Sequence, residues 1–191
     1  MIVRSEIKAQ AKEQIKGNIL MLFLIDIVVS IVLGFCAIPV VGWIAALFVF
    51  PALQFGLIQV YFNMVNNGEK PEVGVAFSKF GLAFKGFVLS LLKSIYIMLW
   101  SCLFCIPGII KTYSYAMAEF IMVENPEMGA NEAITKSREI MDGHKWEYFV
   151  LQLSFFWWYL LIELTFGLAA IYVVPYINAT TVNFYNRIKG E

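Results

Sequence analysis

Not one charged side chain occurs between Asp26 and Glu69, a run of 42 residues. One crossing of a bilayer needs about 20 apolar residues, so this stretch crosses, turns at Pro39-Val40-Val41-Gly42, and returns. Charge is scarce throughout, at 15% of residues against about 25% in an ordinary soluble domain, while 60% are hydrophobic. Such a chain does not build a soluble enzyme. The 14 basic and 14 acidic residues cancel, so no excess of one sign points to nucleic acid. A single histidine, His144, excludes a histidine-rich metal site, and its place beside Asp142 and Lys145 suits a helix boundary better than catalysis. There is no G-x-S-x-G, H-E-x-x-H, Walker A or Rossmann glycine pattern, so neither enzyme activity nor a cofactor is expected.

Two further stretches are lean in charge. Residues 86–123 break at Pro107-Gly108, and residues 146–186 turn near Thr165-Phe166-Gly167. The expected fold is an all-α integral membrane protein of six transmembrane helices, paired as three hairpins with interfacial amphipathic helices. The weakest span is 108–123, which is short and carries Lys111 and Glu119; five spans plus a re-entrant segment is the alternative. Six spans use about 120 residues, leaving no room for a separate soluble domain, so residues 1–191 read as a single membrane domain.

In the hairpin arrangement the basic residues fall on one side. Arg4, Lys8, Lys12 and Lys16 precede the first span, Lys70, Lys79 and Lys85 lie between the first two hairpins, Lys136, Arg138 and Lys145 between the second and third, and Arg187 and Lys189 close the chain. Lys111 and Glu163 are expected near the opposite ends. The positive-inside rule then places both termini and both long connectors in the cytoplasm of a multi-pass plasma-membrane protein, with the first span acting as a signal anchor.

The chain also reads as three copies of one unit, about 3–66, 71–125 and 126–189. Pro71-Glu72-Val73-Gly74 recurs as Pro126-Glu127-Met128-Gly129, and Ser5-Glu6 precede Gly17 as Asn131-Glu132 precede Gly143. Tyr61 and Tyr185 each stand ten residues past a proline, Pro51 and Pro175. Such copies would be parallel repeats about an axis along the membrane normal. Each copy opens on an amphipathic helix, with Ser5 or Asn131 as N-cap and Gly17 or Gly143 at the C-terminus. In the first, Ile7, Ala11 and Ile15 form one face, and Arg4, Lys8, Lys12 and Lys16 another, suited to lying flat among anionic headgroups.

Ionisable groups inside spans are costly and are functional candidates by default. Asp26, Lys93 and Glu119 fall about 9–14 Å inside the membrane at the 1.5 Å rise of a helix, and Gln152 holds in the third copy the place of Asp26 in the first; Gln54 and Gln59 add amides. Lys93 is expected to pair with Asp26, Glu119 or both. Cys36, Cys102 and Cys105 lie near the outer turns, where packing, or a disulfide, is open. Trp100 and Trp157 stand 14 residues past Gly86 and Gly143, suggesting packing between spans, whereas Trp146 and Tyr148 fit the cytoplasmic interface.

A family resemblance rests on several of these segments together. Arg4-Ser5-Glu6-Ile7-Lys8, Lys16-Gly17-Asn18, Pro107-Gly108-Ile109-Ile110-Lys111, Tyr113-Ser114-Tyr115, Ala130-Asn131-Glu132-Ala133-Ile134, Gly143-His144-Lys145-Trp146 and Pro175-Tyr176 resemble the bacterial multispanning family catalogued as domain of unknown function 975. The resemblance spans nearly the whole chain and implies a plasma-membrane protein, typically of Gram-positive bacteria, without a known reaction. The family is also distantly similar to membrane domains attached to some glycerophosphodiester phosphodiesterases, which implies lipid. Two functions are expected to compete. One is a non-catalytic module binding membrane lipids, a membrane protein partner or a second copy through the cytoplasmic face that carries Arg4, Lys8, Lys12, Lys16, Lys136, Arg138 and Lys145. The other is a small transporter or channel-like protein with a cavity floored by Asp26, Lys93 and Glu119.

Overall fold

The computed structural model describes residues 4–35, 41–103 and 105–190. Among them every regular element is helical. Helix α1 (Arg4–Ile15) meets α2 (Ile19–Phe35) at 90°. The bend is made by Gly17 at φ +86°, a left-handed conformation that a side chain would strain. Gly143, at φ +82°, makes the equivalent turn between α8 (Ala130–Ile140) and α9 (Lys145–Leu153), so both glycines end a helix as their spacing predicts. The N-caps differ from expectation: Gly129 caps α8 without a side-chain bond, and Ser5 already lies inside α1.

The predicted apolar face of α1 is real, with Ile7, Ala11 and Ile15 at 3%, 0% and 0% exposure. It is covered by protein, because α1 packs across α11 (Ala170–Lys189). A narrow stripe of three small or branched residues fits a helix groove better than a lipid surface.

Helix α3 (Val41–Asn67) follows, then the short α4 (Val73–Ala76), a single 3₁₀ turn, and α5 (Ala83–Leu103). Helices α3 and α4 touch through backbone: a Cβ on Gly56 would stand 1.7 Å from the Ala76 carbonyl oxygen. Two stretches here, Ala46–Asn67 and Val73–Cys102, are long and apolar enough to cross a membrane, and the bent pair of α1 and α2 makes a third if taken as one span. The first expected turn and Cys36 fall on or beside residues 36–40, and these, like the side chain of Cys105, lie outside the described residues. Cys102 is a free, exposed thiol.

Pro107 and Gly108, the expected break of the second hairpin, lie inside a helix. Helix α5 ends at Leu103 and α6 (Cys105–Ser114) takes Pro107 and Gly108 into its first turn, where no intrahelical N–H is needed from proline. A Cβ on Gly108 would lie 2.1 Å from the Ser101 hydroxyl, so glycine is what permits the hairpin to close. The returning stretch is broken: α6 has 10 residues and α7 (Ala118–Glu124) has 7, about 15 and 10 Å at 1.5 Å per residue. Neither helix alone matches a hydrocarbon core of about 30 Å.

Helix α8 fills the break. Its Ser137 hydroxyl donates to the Ser114 carbonyl at 2.9 Å and accepts from the Met117 amide at 3.2 Å, and the residue is fully buried. Farther back, Asn131 accepts from the Tyr96 hydroxyl at 3.1 Å, and Lys85 donates to the Pro126 carbonyl at 2.5 Å. These contacts run α8 alongside α5.

Helix α10 (Phe156–Leu164) continues α9 after an interruption at Ser154-Phe155, and turns into α11 at Thr165-Phe166-Gly167 as expected, with Phe166 and Gly167 at φ +50° and +89°. No residue of α10 is buried, and Phe156, Trp157 and Leu164 all face outward. A continuous apolar surface of this kind marks a membrane or interaction face. Trp157 therefore looks out of the bundle, as does Trp100, which is 39% exposed with the Lys111 ammonium 4.5 Å above its ring.

The break between α6 and α7 gives the first prediction. Ser137→Ala leaves a buried carbonyl and a buried amide without partners and is expected to cost roughly 1–3 kcal/mol, read as a lowered thermal midpoint in detergent. Ser78→Ala, which removes only an exposed bond to the Val75 carbonyl, is expected to stay within about 0.5 kcal/mol.

Candidate functional site

The ionisable residues expected to cluster are divided between two separate pairs. Lys93 on α5 donates to the Glu119 carboxylate on α7 at 2.5 Å, with both side chains largely shielded from solvent. Asp26 on α2 takes no part in that pair. Its carboxylate accepts from the Tyr61 hydroxyl on α3 at 2.8 Å. Sequence spacing puts Asp26, Lys93 and Glu119 at similar depth, but α3 stands between α2 and α7 and separates the carboxylates.

Tyr61 and Glu119 both look into a half-open cavity of about 430 Å³ between α3, α7, α9, α10 and α11. Gln54 on α3, Gln152 on α9, and Asn178 and Thr181 on α11 complete its polar lining. Apolar and aromatic groups supply the rest, notably Phe50, Phe120, Tyr148 and Tyr159. This wall is braced from behind, with Phe120 stacked on Tyr185 at 5.6 Å and Tyr148 tilted on Phe184 at 5.0 Å. Tyr148 is thus a wall residue of the cavity, whereas Trp146, 71% exposed beside Phe149, faces outward. Among the described residues no lysine, arginine or histidine lines the cavity. Lys93 reaches it only through Glu119, and Asp26 only through Tyr61.

A second tyrosine–carboxylate bond lies close by, with the Tyr185 ring against Phe62 and Phe120. Tyr185 donates to Glu124 at 2.8 Å, and Lys189 also holds that carboxylate. Both tyrosines follow an in-helix proline by ten residues, Pro51 in α3 and Pro175 in α11. Asn186 bonds Asn66 at 2.6 Å and Arg187 lies 3.6 Å from Glu6, so both termini and the end of α3 gather at one end.

A family model described as "Protein of unknown function (DUF975)" matches residues 1–112 and 103–191, and so covers the whole chain. The chain belongs to this family. No curated protein and no solved structure matches it. In this DUF975 chain Pro107-Gly108 and Ser114 build the tight hairpin and its broken return, and Gly17 and Gly143 make its two sharp bends.

The basic face expected from the sequence is divided in this DUF975 fold. Lys8 donates to the Ser154 hydroxyl at 2.5 Å and sits 4.4 Å above the Phe155 ring, while Lys12 lies 5.6 Å above the Tyr176 ring. Burial, with Lys12 and Arg4 nearby, lowers the proton affinity of Lys8. Arg4 and Lys16 are exposed. Arg138 and Lys145 meet Lys111 in a separate pocket, which corrects the expectation that Lys111 lies across the membrane from them: α6 stops one turn after Lys111, and α8 packs against that stop. His144 bonds Glu147 at 3.0 Å, and Lys145 donates to Asp142 at 2.8 Å, holding that carboxyl below its usual range. Among the described residues no group of three or more His, Cys, Asp or Glu side chains is placed to hold a metal ion.

Double-mutant cycles test the pairing. Lys93→Met and Glu119→Gln are each expected to destabilise the fold in membranes, and the double variant to recover part of the loss, a coupling of roughly 0.5–3 kcal/mol. Asp26→Asn combined with Lys93→Met is expected to be additive within about 0.5 kcal/mol.

Proposed function

We propose that the protein is a non-catalytic membrane module that binds a polar group, carried by a lipid headgroup or a small solute, in the cavity between α3, α7 and α11. One observation carries this reading: Tyr61, Glu119, Gln54 and Gln152 converge from three helices on one ligand-sized space. Its volume of about 430 Å³ falls in the range of roughly 300–1,000 Å³ typical of small-molecule sites, which are mostly apolar with a few placed polar groups. Five of its lining residues belong to the membrane-crossing stretch Ala46–Asn67, where polar groups are expensive unless they serve packing or a ligand. The Lys93–Glu119 pair is internally neutral and among the described residues no cation lines the space, so the lining suits uncharged or ammonium-bearing groups better than anions.

Transport is the second reading, favoured by one feature. The cavity is flanked by two interrupted helices, α6–α7 and α9–α10, an arrangement that transporters use around substrates. In this proposal α2, α3 and α5 cross the membrane, the two interrupted pairs and α11 complete three hairpins, and the matched glycine bends and proline–tyrosine spacings of α1–α3 and α8–α11 support a repeated unit. The end that gathers Lys16, Lys70, Lys85, Arg187 and Lys189 is assigned to the cytoplasm by the positive-inside rule.

Two measurements check this. A cysteine placed at 66–70 is expected to resist an impermeant maleimide on intact cells and to react in inverted vesicles; the reverse pattern would turn the assignment over. Mass spectrometry of protein extracted in native-lipid nanodiscs is expected to find a retained lipid or solute that the folded Gln54→Leu/Gln152→Leu variant loses. Retention unchanged by that variant counts against the cavity, and solute flux in reconstituted vesicles selects the transport reading.

A further inference from the structure

A second site, independent of the cavity, lies where α8 meets the broken return of the second hairpin. Lys111 on α6, Arg138 on α8 and Lys145 at the start of α9 line one pocket of about 280 Å³, together with Ser114, Thr135, Glu139 and Asp142. Three cations against two carboxylates leave one net positive charge. Asp142 is already committed to Lys145 at 2.8 Å. Lys111 and Arg138 have no carboxylate partner among the described residues, and Lys111 rests on the Trp100 ring. Glu139 is the remaining carboxylate of this pocket, so two cations share it, and the helices that carry them are held together by the Ser137 hydroxyl, which donates to the Ser114 carbonyl at 2.9 Å.

Beside this pocket, and sharing Lys145 with it, runs a groove of about 370 Å³ whose other walls are Ile109, Ile110, Tyr113, Trp146 and Phe149. Its lining is almost wholly apolar, and Ile109, Ile110 and Trp146 are exposed at 58%, 47% and 71%. A cationic pocket that opens onto an apolar groove matches one ligand chemistry: an anionic headgroup joined to a hydrocarbon chain.

We propose that Lys111, Arg138 and Lys145 bind the phosphate of one anionic phospholipid whose acyl chain lies in the groove formed by Ile109, Ile110, Tyr113, Trp146 and Phe149. The guanidinium of Arg138 offers a bidentate grip on a phosphate, and Lys111 supplies a point charge. Such basic pockets between membrane helices favour anionic lipid. The groove excludes a free phosphate as the full ligand, since without a chain that apolar surface stays uncovered.

The test uses the full-length protein in detergent micelles, titrated with phosphatidylglycerol, phosphatidylcholine or inorganic phosphate and read by native mass spectrometry. Wild-type protein is expected to retain one phosphatidylglycerol in preference to phosphatidylcholine, and to bind inorganic phosphate weakly. Lys111→Gln and Arg138→Gln are each expected to weaken phosphatidylglycerol binding roughly five- to tenfold, whereas Lys136→Gln, next to the pocket in sequence but outside its lining, leaves it unchanged. Ile110→Asn is expected to weaken the lipid without changing phosphate binding. Equal retention of the two lipids by the folded Gln54→Leu/Gln152→Leu variant, in which the cavity no longer contributes, overturns the proposal. So does an equal loss in Lys136→Gln, which means diffuse attraction to the basic helix. Phosphate binding as tight as the lipid's also overturns it, by reducing the site to an anion pocket. The cavity lined by Tyr61 and Glu119 is read separately, because its retained ligand is lost in the Gln54→Leu/Gln152→Leu variant and not in Lys111→Gln or Arg138→Gln.

Discussion

The fold turns on how a break in a buried stretch of helix is satisfied. An interrupted helix leaves amides and carbonyls without partners, and in apolar surroundings each unpaired group costs more than most packing contacts return. Here the returning arm of the second hairpin stops at Ser114 and restarts at Ala118. One hydroxyl, that of Ser137, closes the gap from both sides. This pulls α8 against α5 and α6, fixes where α7 begins, and leaves Glu119 two residues past the repaired amide, facing Lys93. The same bond brings Arg138 to Lys111. Both candidate sites therefore descend from one local problem of backbone satisfaction.

Much of this was legible in the sequence where a signal was local. Spacing of four residues marked the Ile7–Ala11–Ile15 face, and glycine at 17 and 143 marked the bends, because a left-handed backbone is a property of one residue and its neighbours. Turn chemistry at Thr165-Phe166-Gly167 was readable for the same reason. The Lys93–Glu119 pair could be anticipated as one of two options, since both residues belong to a single hairpin and helical rise fixes their depth. Which option held was not readable, because Tyr61 from the first hairpin takes Asp26. A tyrosine inside an apolar run carries no label for the carboxylate it will serve.

What failed to show was direction. Trp100 and Trp157 are deep in sequence position yet look outward, and depth along a helix says nothing about which side faces the bundle. The apolar stripe of α1 could have met lipid or protein, and a stripe alone does not tell the two apart. The position of Lys111 was misjudged because ten residues of α6 were treated as the start of a full crossing. The stretch after Ser114 gave no local warning, because Ala116, Met117 and Ala118 are strong helix formers; the break is met by Ser137 from another helix, a partner that spacing alone does not reveal.

The division of the basic residues follows from what each cation finds within reach. An ammonium near an aromatic face is stabilised by the ring and loses little by leaving water partly behind. Lys8 and Lys12 are in that position over Phe155 and Tyr176, so the predicted cationic stripe of α1 is partly spent on holding α1 to α9 and α11. Lys145 is tied to Asp142. Arg138 has neither ring nor carboxylate recorded against it among the described residues, and a guanidinium is too strongly basic to lose its charge. Its location is imposed by the serine beside it rather than chosen by its own contacts. A charge held in place by its neighbour, next to a second cation and an apolar groove, is better balanced by an anion from outside the chain than by anything the chain itself supplies.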